Sequence, residues 1–217
     1  MEAARHAPIA HHVEAITPAR LTTALGNLAP MLGRTRQQGD AVDIWSVAGL
    51  GHNEVRNSRV LTWLLDPHGS HGAGDAYLVE LWDRISGTTK AGFPMRGIQR
   101  VVRENYPIGN GEHRIDIEIT GAEFVIFLEV KVNAGETKSG QIEQYGKLAK
   151  IKADSLGKQH HAVMYLSETP PAAPSKCIPL RWKDVARSIQ SVARHREPDA
   201  LSTRLALLFA AHVSRFH

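Results

Sequence analysis

The chain has 217 residues, of which 42% are hydrophobic, and it carries a formal net charge of +4 at pH 7. This length and apolar content suffice for one sizeable core, so we expect a single domain over residues 1–217, and the modest positive charge favours polyanionic partners without identifying one. The single cysteine excludes an internal disulfide framework and the sequence has no apolar run of membrane-spanning length, so we expect a cytoplasmic protein with no membrane partner.

Helical patterns dominate the first third of the chain. Leucines recur at helical spacing over residues 18–36 and predict a helix that packs against other elements. A second helix is predicted over residues 53–66, because an asparagine can cap its start and Pro67 disfavours helix in the residue before it. A third helix is predicted over residues 75–82.

The middle of the chain changes to β-branched and aromatic residues separated by glycine-containing turns. This composition predicts three strands, then a helix, a short apolar strand and helices up to the last residues. The predicted strands cover residues 97–106, 114–119, 124–131 and 161–167, and the helix between the last two strands covers about 138–152. The resulting element order is α, βββ, α, β, α.

Two neighbouring predicted strands carry charged side chains at positions where buried strands usually have apolar ones. In RIDIEI the isoleucines alternate with charged residues, among them Asp116, so one face of that strand is polar. The next strand, FVIFLEVK, is apolar on both faces, as a central strand should be, until it ends in Glu129 and Lys131. Charges at the end of a buried strand require a partner or a function.

The hairpin between these strands predicts which side chains meet. A two-residue turn at residues 121–122 places Arg114 opposite Glu129, where it can act as a counter-charge. By the period of two, Asp116, Glu129 and Lys131 then lie on one side of the sheet. The sequence therefore predicts a cluster of two carboxylates and one ammonium.

Such a cluster favours a metal site. Two facing carboxylates raise one another's pKa unless a cation lies between them, and hard oxygen ligands suit Mg²⁺, with Mn²⁺ as a substitute. The backbone carbonyl of Val130 is a further candidate ligand. Lys131 can orient, or help to deprotonate, a water that the metal acidifies, and together these groups favour hydrolysis of a phosphodiester.

This arrangement resembles the PD-(D/E)xK nuclease superfamily, in which an acidic residue on one strand precedes (D/E)-x-K on the next. Here the pattern is Asp116, then Glu-Val-Lys at residues 129–131, although Ile115 stands where the superfamily name has proline. The resemblance implies a restriction-endonuclease-like α-β-β-β-α-β core over about residues 50–182, an α/β fold in which helices flank a mixed sheet and further helices stand at both ends of the chain.

Glu54, at the start of the second predicted helix, shares a helical stripe with Leu61 and Leu65. A carboxylate on a core-facing stripe is costly unless it is paired or bound to a metal, so we expect it to point at the same site. The resemblance implies a further metal ligand or an anchor for a metal-bound water. The alternative is a carboxylate that the helix dipole favours at this position.

Gln141 and Tyr145 lie four residues apart on the predicted helix after the sheet and therefore share a face. The pair resembles the Q-x-x-x-Y motif of RecB-type nucleases, which implies that it helps to arrange the site and the substrate. The alternative is an exposed amide beside a buried tyrosine.

The resemblance implies an Mg²⁺-dependent deoxyribonuclease, with endonuclease favoured over exonuclease and with bacterial defence or DNA repair as the setting. RNA stays open as a substrate, as do a homodimer and a defence or repair partner protein. The alternatives are a nucleic-acid-binding module without turnover, a toxin or effector nuclease, and a hydrolase with zinc in the loop that contains Asp66, His68, His71 and Asp75.

Overall fold

The computed structural model describes residues 17–37, 39, 42–85, 93–105, 114–133, 140–169 and 177–216. Contacts divide the chain into two compact units, residues 1–42 and residues 43–217. The first unit contributes one described helix, and the second contains the sheet and the other described helices. A division by contacts does not test independent folding, so the single domain stays a prediction.

The described helices and strands confirm the predicted order and add two short elements, α2 and β5. The helices are α1 (Pro18–Gln37), α2 (Ile44–Val47), α3 (Glu54–Leu65), α4 (Ala76–Asp83), α5 (Gln141–Ser155), α6 (Trp182–Ala193) and α7 (Leu201–Val213). The strands are β1 (Ile98–Asn105), β2 (Ile115–Gly121), β3 (Phe124–Val130), β4 (His160–Ser167) and β5 (Ile178–Arg181). The predicted start of α5 near Lys138 lies outside the described residues. Among the described helices, none has the length and hydropathy needed to cross a bilayer.

The five strands form one mixed sheet in the order β1-β2-β3-β4-β5. The pairs β1–β2 and β2–β3 are antiparallel, whereas β3–β4 and β4–β5 are parallel. All seven residues of β3 are buried, as its apolar run predicts. Helix α5 packs on one face of the sheet, and α3, α4, α6 and α7 contribute to the core on the other face. The predicted restriction-endonuclease-like arrangement of a mixed sheet flanked by helices is confirmed.

The turn between β2 and β3 lies one residue later than predicted. It consists of Ala122 and Glu123, and Gly121 belongs to β2. A side chain at position 121 would collide with the ring of Phe124, so glycine is needed there for close approach rather than for the turn itself.

This turn shifts the register of the hairpin by two residues from the predicted one. Glu118 pairs with Phe127, and the last pair before the strands separate is Ile117 with Leu128. The predicted opposition of Arg114 and Glu129 is therefore wrong. Because side chains alternate with a period of two, a shift of two residues leaves every side chain on its predicted face.

The helix predicted over residues 18–36 is found as α1, but its expected burial is wrong. Leu21, Leu25 and Leu28 are 52%, 58% and 48% exposed. The described part of its unit contains no other helix or strand that could cover this stripe. Helical spacing predicts which residues share a face, and burial requires a partner that spacing does not identify.

The loop before α4 is held by His71, which is almost completely buried. Its Nε2 lies 2.9 Å from the carbonyl oxygen of Asp66, and its Nδ1 accepts the N–H of Ala73 at 3.0 Å. Arg196 donates to the carbonyl of His71 at 2.8 Å. Both ring nitrogens are therefore occupied. Within the described residues no group of three His, Cys, Asp or Glu side chains is placed to hold a metal ion, so a zinc site in this loop is not supported.

We expect His71 to make the protein less stable in weak acid. Burial is the largest cause that lowers the pKa of His71 below its ordinary value of about 6.5, because the charged ring would lose its contact with water. A protonated Nδ1 also could not accept the N–H of Ala73. The unfolded state then binds more protons than the folded state, so the free energy of unfolding falls as the pH drops below about 6.5. Urea unfolding at pH 7.5, 6 and 5 measures this change.

The His71→Asn variant should unfold more easily at pH 7.5 by about 1–3 kcal/mol and should depend less on pH. His212, whose pKa burial also lowers, accounts for part of the remaining dependence. His161→Gln, at an exposed position on β4, is the matched control. An unchanged pH dependence in the His71 variant contradicts this account.

Candidate functional site

Four predicted side chains meet where β3 leaves the sheet. Asp116 comes from the start of β2, Glu129 and Lys131 come from the end of β3, and Glu54 is the first residue of α3. Lys131 Nζ lies 2.7 Å from Glu129 Oε1 and 3.7 Å from Glu54 Oε2. We call these four residues the carboxylate–lysine cluster.

Asp116 is held against the neighbouring strand by a backbone hydrogen bond. Its Oδ2 accepts the N–H of Val130 at 2.9 Å, just beyond the last pair of the β2–β3 ladder. The N–H of Lys131 points the other way and donates to Leu166 on β4 at 2.8 Å. Since backbone groups of successive strand residues face alternate neighbours, the carbonyl of Val130 is directed toward the Asp116 side.

Glu129 is the most enclosed carboxylate of the cluster, with 3% of its surface exposed. Its Oε1 accepts from Lys131 Nζ at 2.7 Å and from Gln141 Nε2 at 3.1 Å. The carbonyl of Lys131 accepts the indole N–H of the fully buried Trp182 at 2.8 Å. Both ends of this short segment are thus fixed by groups from α5 and α6.

Glu54 reaches the cluster from the start of α3. Its Oε1 accepts the N–H of Val132 at 3.2 Å, and its Oε2 faces Lys131. Asn53 caps the helix by accepting the N–H of Arg56 at 2.9 Å, as predicted. The helix start therefore presents Glu54 to the residues that follow β3.

Gln141 and Tyr145 connect α5 to both strands of the hairpin. The Gln141 side-chain amide donates to Tyr145 Oη at 2.8 Å as well as to Glu129, and the tyrosine hydroxyl donates to the carbonyl of Arg114 at 3.1 Å. Their predicted common face is confirmed, and the alternative of an exposed amide is wrong, because the partly buried Gln141 amide has two acceptors beside the buried Tyr145. The Arg114 side chain is exposed, and its link to this network is through its backbone carbonyl.

The cluster carries an excess of negative charge. Burial is the main cause that raises the pKa of Asp116, and the charge of Glu54 adds to it against the hydrogen bond from Val130. Burial also raises the pKa of Glu129, with a further contribution from the charge of Asp116. Three carboxylates of the cluster face one ammonium, and the exposed guanidinium of Arg114 acts on Asp116 from outside the cluster, so the ionised groups carry an excess of negative charge.

Lys131 and Tyr145 respond to this field in the same direction. Burial alone would lower the pKa of Lys131, but the hydrogen bond and charge of Glu129, with Glu54 and Asp116, raise it above its ordinary value. Burial and the charge of Glu129 raise the pKa of Tyr145 to about 12. Lys131 is therefore held as an ammonium that donates hydrogen bonds while the three carboxylates have no cation between them. Its predicted role in orienting or helping to deprotonate a water stays a prediction.

The donor set fits a divalent cation. The buried carboxylate of Glu129 and the partly buried carboxylate of Asp116 lie on one side of the sheet together with the Val130 carbonyl, and a divalent cation would offset the excess negative charge of the cluster. In the described part of the chain no third acidic side chain converges with these two as a cation ligand, and both oxygens of Glu54 already face other groups.

Sequence reasoning missed Trp182 and the bond from Val132 to Glu54. Both contacts join segments that are far apart in the chain, and neither residue type stands out by spacing. The sequence feature that could have indicated Trp182 is its position directly after the short stretch of residues 178–181, which forms β5.

Comparison with known proteins gives one family match. The model of a family described as the PD-(D/E)XK nuclease superfamily matches residues 42–183, more than half of the chain. The matched stretch contains the whole cluster, Gln141, Tyr145 and Trp182. No curated protein and no solved structure matches the chain significantly.

Proposed function

Because the chain belongs to the PD-(D/E)XK nuclease superfamily, we propose that it is a metal-dependent deoxyribonuclease that cuts phosphodiester bonds within DNA strands. The observation that carries this proposal is the convergence of Asp116, Glu129 and Lys131, with Glu129 bound to both Lys131 and Gln141. Residue types, spacing and contacts all agree with the chemistry that the superfamily membership indicates.

Asp116, Glu129 and the carbonyl of Val130 are the proposed ligands of Mg²⁺, for which Mn²⁺ can substitute. Glu54, whose oxygens face the N–H of Val132 and the ammonium of Lys131, is proposed as an acceptor for a metal-bound water, or as a further ligand once its carboxylate turns away from these groups. When bound, the ion supplies a Lewis acid that lowers the pKa of water and stabilises negative charge on the phosphate.

The residues around these ligands orient the reacting groups. Lys131, as an ammonium between Glu54 and Glu129, is placed to donate to the attacking water or to a phosphate oxygen. Gln141 holds the carboxylate of Glu129, and Tyr145 holds Gln141. Arg114 is proposed to contact the DNA backbone from its exposed position beside Asp116. The charge of Arg114 also acts to lower the pKa of Asp116.

Incubation with closed circular and with linear DNA, in Mg²⁺, in Mn²⁺ and in EDTA, tests the proposal. Metal-dependent opening of the circle is the expected result. Cutting of linear DNA alone would make the enzyme an exonuclease, and cutting of RNA alone would change the substrate. Binding without cutting in any metal would favour the nucleic-acid-binding module.

The cellular setting belongs to the proposal and rests on analogy with the superfamily. Bacterial defence and DNA repair are the settings proposed. We propose that the protein cuts both strands either as a homodimer or together with a partner protein. Sedimentation of the protein with and without DNA measures the oligomeric state.

We expect Gln141→Ala to reduce the cleavage rate at saturating DNA by about tenfold, since groups that orient ligands typically contribute about 10–100-fold. The substitution frees Glu129 Oε1 from one of its two donors and removes the donor to the Tyr145 hydroxyl, which keeps its bond to the carbonyl of Arg114. Gln144→Ala, on the exposed face of the same helix, is the matched control. Equal rates for the two variants would contradict a role of Gln141 in orienting Glu129.

A further inference from the structure

A second feature lies at the carboxyl edge of the sheet, outside the carboxylate–lysine cluster. It is a cavity of about 380 Å³ between the end of β4, the start of α6 and the residues after α7. Glu168 and Thr169, residues 181–183, and Ser214 with Phe216 line it. We call it the edge cavity.

The edge cavity shares a wall with the cluster. Its floor contains Trp182, whose indole N–H donates to the carbonyl of Lys131 at 2.8 Å. The ring of Phe216 lies 5.1 Å from the ring of Trp182 and 5.1 Å from that of His52, two residues before Glu54. Parallel strands end at the same edge of a sheet, and β5 is two strands from β3, a distance of about 10 Å. A ligand in the edge cavity is therefore within reach of a substrate in the cluster.

The chemistry of the lining fits a phosphate rather than a base. Arg181 and Lys183 are exposed and flank Trp182, and exposed Thr169 lies beside them, whereas the Ser214 hydroxyl donates to the carbonyl of Ala211 at 2.8 Å. Trp182 is 0% and Phe216 is 7% exposed, so neither ring offers a face on which a base can stack. Guanidinium and ammonium groups attract phosphate oxygens, and the planar guanidinium can bind two of them at once.

We propose that the edge cavity binds a backbone phosphate of the substrate strand, near the phosphate that is cleaved in the cluster. This inference rests on the proposed function. Arg181 and Lys183 supply the attraction, and Glu168, half-buried at the rim, opposes it. Recognition of this kind depends on charge and not on sequence.

Substitution of these three residues gives effects of opposite sign. Binding of a fluorescent DNA oligonucleotide, measured by anisotropy in EDTA between 50 and 200 mM KCl, should weaken about fivefold in Arg181→Gln and in Lys183→Gln. Each substitution should also reduce the slope of log Kd against log[KCl] by roughly 0.7–0.9, because one phosphate contact is lost. Glu168→Gln should tighten binding. In Mg²⁺ the KM should follow the Kd while kcat stays within about twofold.

Arg194→Gln is the matched control, since Arg194 is an exposed arginine at the other end of the 12-residue α6, about 18 Å away. A control that loses as much of the salt slope as Arg181→Gln would mean a general charge effect and would overturn the edge cavity as a site. If the wild-type protein cuts DNA, the edge cavity is also overturned as a site when the Arg181 and Lys183 variants have an unchanged Kd and an unchanged salt slope. A loss confined to kcat in these variants overturns it as well. A wild-type protein that neither binds nor cuts DNA overturns the proposed function and this inference with it.

Discussion

Replacement of Lys131 by methionine is expected to slow DNA cleavage by roughly 10²–10³-fold, the usual loss when one donor to developing charge is removed. Methionine keeps an unbranched apolar stem out to the ε position but removes the ammonium that lies 2.7 Å from Glu129. Single-turnover cleavage at saturating DNA measures the effect on the chemical step. The Kd for DNA should change much less, because several basic side chains attract the phosphates of the DNA backbone.

Lys147→Met is the matched control. Lys147 pairs with Glu143 on the exposed face of α5 at 3.7 Å, and surface pairs of this kind contribute little. Its cleavage rate should equal that of the wild type. Wild-type cleavage in the Lys131 variant would place the chemistry outside the cluster, whereas equal losses in both variants would indicate a general effect of positive charge on DNA binding.

The faces of the site strands could be predicted because alternation depends on parity. The turn was placed one residue too early, since the collision between a side chain at position 121 and the ring of Phe124 is a property of the folded hairpin. The resulting register shift is two residues, so Asp116 and Glu129 still share a face. A shift of one residue would have placed Asp116 on the opposite face.

The contacts that complete the site could not be predicted from local patterns. Trp182 meets the Lys131 carbonyl across 51 residues, and this requires β5 to lie beside β4. The strand β5 has only four residues, too few to establish a period of two against the proline-containing sequence around it. Packing partners, like the exposure of α1, depend on the assembled fold.

Replacement of Asp116 by asparagine is expected to separate metal binding from folding. The new amide oxygen can still accept the N–H of Val130, so the end of β3 keeps its hydrogen bond. In EDTA the free energy of unfolding should equal or exceed that of the wild type, because a buried charge that burial and Glu54 already disfavour is gone. Cleavage should fall by about 10³-fold, since several kcal/mol of stabilisation by the metal are lost.

Addition of Mg²⁺ should then distinguish the two proteins in the absence of DNA. The wild type should gain about 2.7 kcal/mol at a metal concentration of 100 times its Kd, and the Asp116 variant should gain little. Asp154→Asn, which alters an exposed pair with Lys150 at the end of α5, should respond to Mg²⁺ as the wild type does. Equal stabilisation of the Asp116 variant and the wild type would place the metal elsewhere. We expect a metal requirement because Asp116 and Glu129 share one side of the sheet, where without a cation the excess negative charge of the cluster stays uncompensated. Cleavage that persists in EDTA would contradict this requirement.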